Sequence, residues 1–126
     1  MKKKILLVDD DGIFVDMLKE TLENFINEKI RFDVEGVNST DHVVELSKRN
    51  KYDFLIIDYL IDGRNGKQVV EKIREFDKEI CIILLTGHSD YVFSIGALKE
   101  MEIQLYMEKS PAVPEKIIRE IMNLIC

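Results

Sequence analysis

Ile5-Leu6-Leu7-Val8-Asp9-Asp10-Asp11 sets the reading of the whole chain. Four consecutive apolar residues with no polar alternation mark a β-strand covered on both faces, and three carboxylates close it. Phe54-Leu55-Ile56-Ile57-Asp58 repeats the design, a second apolar run that ends on acid. Carboxylates gathered in one cleft repel and raise one another's pKa unless a cation sits among them, so the pattern predicts positive charge there. Two further segments extend it: Thr86 follows the run from Ile80 to Leu85, and Lys109 follows Ile103-Gln104-Leu105-Tyr106-Met107.

Between these runs lie amphipathic stretches, and that alternation predicts βαβ units around a parallel sheet. The first helix is expected from Gly12 to Glu28, with Phe14, Met17, Leu18, Leu22, Phe25 and Ile26 as its apolar stripe. A second runs from Thr40 to Arg49 with Ser39 or Thr40 as its cap, and a third from Lys67 to Phe76 with Val69, Val70 and Ile73 inward. A fourth lies near Asp90 to Lys99, and a fifth starts at Pro114 and buries Ile117, Ile118, Ile121 and Ile125. Arg31-Phe32-Asp33-Val34-Glu35 alternates and reads as an edge strand, and the strand carrying Gln104 reads as the other edge. The three continuous strands then occupy the middle, which gives the order 2-1-3-4-5. In such a doubly wound sheet the ligand crevice lies at the carboxyl ends of strands one and three, where the winding reverses. Asp9, Asp10 and Asp58 fall at that point.

The 126 residues contain no repeat, linker or low-complexity tract and read as a single domain over residues 1–126. The apolar runs fall far short of the roughly 20 residues of a membrane span, and Met1-Lys2-Lys3-Lys4 precedes a core strand rather than a signal-peptide core. Net charge is −6 and no dense Lys/Arg cluster occurs, so direct nucleic-acid binding is not expected. Cys81 reads as a small core residue and Cys126 as a terminal thiol, a usage that fits a cytoplasmic protein. His42 and His88 have no partner at metal-ligand or triad spacing.

Taken together, Asp9-Asp10, Asp58, Thr86, Tyr106 and Lys109 resemble the motif set of the receiver domain of two-component response regulators, over essentially the whole chain. The resemblance implies a flavodoxin-like (βα)5 fold and a Mg²⁺-dependent switch that takes a phosphoryl group on Asp58 rather than an enzyme. It implies Mg²⁺ on Asp10 and Asp58, with Asp9 acting mainly through water and the Leu60 carbonyl completing the set. Lys109 and Thr86 would bind the phosphoryl oxygens, and Thr86 and Tyr106 would move together as the switch. The donor would be a sensor histidine kinase or a histidine phosphotransfer protein, and the output a protein target or onward transfer. The resemblance also allows a homodimer. The protein would act as a self-contained unit or as part of a longer regulator or hybrid kinase.

Three departures from the family pattern stand out. Asp62 occupies a position where proline is common. Ser110 follows Lys109, with Pro111 one residue later, where the family has a cis proline. A cis bond before a non-proline residue costs about 3–4 kcal/mol, so an altered loop path that retains Lys109 is expected. Met101-Glu102-Ile103 replaces a small Gly-Ala pair before Tyr106. By the same resemblance, Leu60 and His88 flank the site where hydrolysis is tuned, and apolar Leu60 predicts slow self-dephosphorylation. The rival reading is a receiver-like interaction module that works without phosphorylation. An aspartate-nucleophile phosphatase would want an acid at position 60, and a flavodoxin-like redox carrier would not place Asp9-Asp10-Asp11 where a flavin phosphate must sit.

Overall fold

The computed structural model describes residues 1–25, 27–61, 64–87, 99–100 and 102–125. Within these the elements are β1 (Lys2–Val8), α1 (Gly12–Asn24), β2 (Arg31–Val37), α2 (Val43–Arg49), β3 (Phe54–Asp58), β4 (Leu60–Ile61), β5 (Arg64–Asn65), α3 (Gly66–Arg74), β6 (Cys81–Thr86), β7 (Leu105–Glu108) and α4 (Val113–Ile125). Five of the strands form one parallel sheet in the order β2-β1-β3-β6-β7, and β4 and β5 make a two-stranded antiparallel hairpin after β3. Leaving the hairpin aside, this is the predicted 2-1-3-4-5 arrangement. The helix expected near Asp90 to Lys99 lies outside the described residues apart from Lys99, which is helical with Glu100.

Strand alternation divides the core into two layers. Ile5, Leu7, Phe54, Ile56, Ile83 and Leu85 point to the side covered by Val15, Leu18 and Leu22 of α1 and Val113, Ile117 and Ile121 of α4. Leu6, Val8, Leu55, Ile57, Ile82 and Leu84 point to the other side, covered by Val43 of α2 and Val69, Val70 and Ile73 of α3. This explains the unbroken apolar runs: every residue of Ile5–Val8 is fully buried, each contributing about 1.5–3 kcal/mol. Cys81 packs at the margin of the first layer, where burial pushes its thiol up to about 11. Ile118 is only partly buried, and the Ile125 side chain is not among those described.

Element ends depart from the sequence expectations for local reasons. α1 stops at Asn24 rather than Glu28: Phe25 leaves the helix to stack on Phe32, with ring centroids 5.9 Å apart, and the Asn27 side chain accepts from Lys29 N–H. α2 begins at Val43 rather than Thr40, because Ser39 Oγ accepts from Asp41 N–H in a preceding turn. His42 takes the cap position with φ of 70° and makes no side-chain cap. The last strand starts at Leu105 rather than Ile103, since the Gln104 side chain accepts from Ile82 N–H at 2.7 Å where a backbone carbonyl would otherwise do so. α3 spans Gly66–Arg74 rather than Lys67 to Phe76, and α4 starts one residue before Pro114. Among the described residues no peptide bond is cis, so Lys109–Ser110 is trans, as the altered path requires.

Gly66 opens α3 beneath the end of β3, and a Cβ there would collide with the Asp58 carbonyl oxygen and press on that of Tyr59, 3.3 Å away. Backbone cannot yield as a side-chain tip can. Gly66→Ala is therefore expected to lower unfolding stability by about 1–3 kcal/mol, read from urea unfolding midpoints. An unchanged midpoint would mean that the chain beneath Asp58 relaxes freely.

Candidate functional site

Register builds the cleft. Val8 lies opposite Ile57, so the next residue of β1 and the last of β3, Asp9 and Asp58, emerge side by side. Thr86 ends β6 beside them and lies opposite Glu108 of β7. The N–H of Lys109 donates to the Thr86 carbonyl at 2.7 Å, which starts the lysine side chain back toward the centre of the sheet. Its Nζ arrives 2.5 Å from Asp9 Oδ2 and 3.0 Å from Asp58 Oδ2. The cation that the crowded carboxylates demanded is thus supplied by the chain.

The three consecutive acids have three different environments. Asp9 is fully buried, and its Oδ1 accepts from Asp11 N–H at 3.0 Å. Asp10 is exposed at the mouth of the cleft. Asp11 is the N-cap of α1, its carboxylate accepting from Phe14 N–H at 3.1 Å. Acids at a helix start complement the helix dipole, and of these three it is Asp11 that caps the helix. Asp58 and Thr86 are both buried, with 7% and 1% of their surface exposed.

One carboxylate oxygen each from Asp9, Asp10 and Asp58 lies within 4.8 Å of the others. Asp9 Oδ2 is buried, and the partner the structure gives it is the Lys109 ammonium. An all-oxygen set of three carboxylates converging within this distance fits a hard divalent cation. Leu60, the remaining residue expected to contribute, begins β4 two positions past Asp58 and pairs in register with Asn65.

Burial raises the Asp9 pKa; the contact with Lys109 and the Asp11 N–H pull it back only in part, and the charge of Asp58 pushes it further up. For Lys109, burial alone would lower the pKa, but contact with Asp9 and Asp58 outweighs it and the ammonium is held above its usual 10.5. Asp9 is therefore the strained member and Lys109 the stabilised one.

Asp9, Asp10, Asp58 and Lys109 converge on one cleft, and Thr86 closes the neighbouring strand with its carbonyl on the Lys109 N–H. Tyr106, expected as the switch aromatic, lies on edge strand β7 opposite Leu84, two residues before the Thr86–Glu108 pair, and is 37% exposed. His88 and Asp62 are outside the described residues. Phe14, read in the sequence as one member of an apolar stripe, also belongs here, with the Lys109 ammonium 4.7 Å from its ring centroid. Its position on the first turn after the acids was the available signal.

A family model for the response regulator receiver domain matches residues 5–121. Among curated relatives, the hydrogenase transcriptional regulatory protein HoxA of Cupriavidus necator is 28% identical over 96% of this chain and 24% of its own length. The transcriptional regulatory protein YvrH of Bacillus subtilis is 31% identical over 74% of this chain and 39% of its own length. The chain thus spans well under half the length of these two regulators. Among solved structures, the chemotaxis protein CheY4 of Vibrio cholerae superposes with a TM-score of 0.81 at 20% identity, covering 99% of this chain and 100% of the other. A response regulator from Burkholderia pseudomallei, solved with a phosphorylated aspartic acid, a calcium ion and citrate, matches with a TM-score of 0.74 at 23% identity, covering 92% of this chain and 64% of the other.

A buried acid with a raised pKa contributes stability that is fully present below its unfolded value, about 3.9, and is lost as pH rises through its folded value. Once ionised, the Asp9 carboxylate accordingly opposes folding. Metal-free Asp9→Asn is expected to melt above the wild type near pH 7, by a margin that shrinks as pH falls toward about 4. Paired thermal melts across that range check this, and a less stable variant at neutral pH would reverse the sign given to Asp9.

Proposed function

This chain belongs to the response regulator receiver domain family, and from that footing we propose that it is a switch controlled by phosphorylation of Asp58. The observation that carries the reading is the Lys109 ammonium held between Asp9 and Asp58 at the carboxyl ends of β1 and β3. The nucleophile is an Asp58 carboxylate oxygen. It forms the bond to phosphorus as the bond between phosphorus and an imidazole nitrogen of a phosphohistidine donor breaks, and the released imidazole takes up a proton. Lys109 follows the transferred oxygens as a point charge, and the Thr86 hydroxyl donates to one of them. Asp9, Asp10, Asp58 and the Leu60 carbonyl would hold Mg²⁺, which when bound neutralises charge on the incoming phosphoryl oxygens. Burial of Thr86 and partial exposure of Tyr106 leave room for coupled movement, Thr86 toward the phosphoryl group and Tyr106 inward behind it.

Residues 1–126 form one receiver domain, cytoplasmic, a conformational switch rather than an enzyme. Its donor is a sensor histidine kinase or a histidine phosphotransfer protein, and its output is contact with a protein target, with homodimerisation as a further arrangement. The matched curated relatives are transcriptional regulators that extend well beyond the matched region, so such a target includes domains joined to the receiver. Among the described residues no helix is long and apolar enough to cross a membrane.

Incubation with Mg²⁺ and acetyl phosphate, followed by intact-mass measurement, tests the switch. One added phosphoryl group is expected in the wild type, none in Asp58→Asn, and none with EDTA present. A folded, metal-binding wild type that gains nothing would favour an interaction module that works without phosphorylation. The ion has its own readout: Mg²⁺ at about 100 times its dissociation constant should stabilise the wild type by about 2.7 kcal/mol. Asp10→Asn should lose most of that shift, and an undiminished shift would place the ion elsewhere.

A further inference from the structure

We propose that Phe14 is a positioning residue for Lys109, its ring holding the ammonium at the cleft without occupying a carboxylate oxygen. This rests on the phosphoacceptor reading above and adds to it a residue that no motif marks. Lysine carries its charge on a flexible four-carbon stem, so a fixed backbone does not fix its nitrogen. The Thr86 carbonyl anchors only the start of that stem. Three groups then surround the ammonium: Asp9 Oδ2 at 2.5 Å, Asp58 Oδ2 at 3.0 Å and the Phe14 ring, centroid at 4.7 Å. That last distance is well inside the roughly 6 Å over which a ring face attracts a cation.

The ring itself is held from two directions. Its backbone N–H is bound by the capping carboxylate of Asp11, and its side chain packs on the core layer built from Ile5, Leu7 and Val15. A core role alone would explain its partial burial but not an ammonium over its ring. The two carboxylate partners have other work in a phosphoryl-accepting site, since Asp58 must react and Asp9 belongs to the acidic cluster. The ring carries no formal charge, competes for none of these oxygens and keeps water from one side of the ammonium. Lower local polarity strengthens attraction between the ammonium and the phosphoryl oxygens.

The test compares wild type with Phe14→Leu, which keeps apolar bulk but has no ring face, and Phe14→Tyr, which keeps the face. Proton shifts of the Lys109 ε-methylene report the contact directly, because a group over an aromatic face is displaced upfield. That displacement is expected in wild type and Phe14→Tyr and absent in Phe14→Leu, with all three showing cooperative thermal unfolding. In parallel, the rate of phosphoryl incorporation from acetyl phosphate with Mg²⁺ should fall about threefold to tenfold in Phe14→Leu and stay within about twofold of wild type in Phe14→Tyr. No upfield displacement in wild type, a Leu variant as fast as wild type, or a Tyr variant as slow as Leu would each overturn the proposal. A wild type that shows the displacement but takes no phosphoryl group would sink the phosphoacceptor reading, and with it the positioning role in that reaction, while leaving the contact established.

Discussion

A lysine ammonium wedged between two carboxylates that have little contact with water is the constraint on which this end of the molecule depends. Asp9 is fully buried and Asp58 nearly so, and each would otherwise be an isolated charge in a poorly solvating interior. Lys109 compensates both. Burial nonetheless raises the Asp9 pKa more than the contact with Lys109 lowers it. Crowding acidic oxygens at one point in this way opposes folding, and the lysine offsets part of that cost. Breaking such a contact by removing the lysine would leave two uncompensated acids, which is more damaging than never having built the pair.

The sheet makes the arrangement possible. Asp9 and Asp58 sit on adjacent strands, while Lys109 follows β7, two strands away from β3. A parallel sheet brings all these ends to the same side, and helices on both faces keep the central runs Ile5–Val8, Phe54–Ile57 and Ile82–Leu85 dry. The acids are therefore the first polar residues that β1 and β3 meet on leaving the core. Gly66 lets α3 begin directly under the end of β3, with its N–H donating to the Tyr59 carbonyl at 2.5 Å. Tyr59 N–H in turn donates to the Leu85 carbonyl at 2.8 Å, tying the segment after Asp58 to the neighbouring strand.

On the far side of the sheet the approach to β7 has its own solution. Glu102 takes a left-handed conformation, φ 54°, which glycine would adopt without strain. The largely buried guanidinium of Arg74 donates to the Glu102 carbonyl at 2.5 Å and to the Asp77 carbonyl at 3.2 Å. Glu102 is thus tied to the end of α3 by a long-range contact. Nothing in the local pattern around Arg74 distinguishes it from an ordinary basic residue in the last turn of a helix.

Periodicity and order along the chain were enough for the class of fold, the strand order and the acids of the cleft. Those features follow from local rules: apolar runs must be covered, and acids at strand ends must emerge where the winding reverses. Asp58, Thr86 and Lys109 were legible because each directly follows, or closes, such a run. What each neighbouring acid does was not legible, since Asp9, Asp10 and Asp11 are chemically identical until burial and a helix start distinguish them. Nor was the place of Phe14, because an apolar stripe does not say which polar group will come to rest on one of its rings. The Lys109 ammonium meets Asp9 one hundred residues away in the chain, and Arg74 meets Glu102 across 28. Contacts of that kind depend on packing among distant segments, and only the tertiary structure decides them.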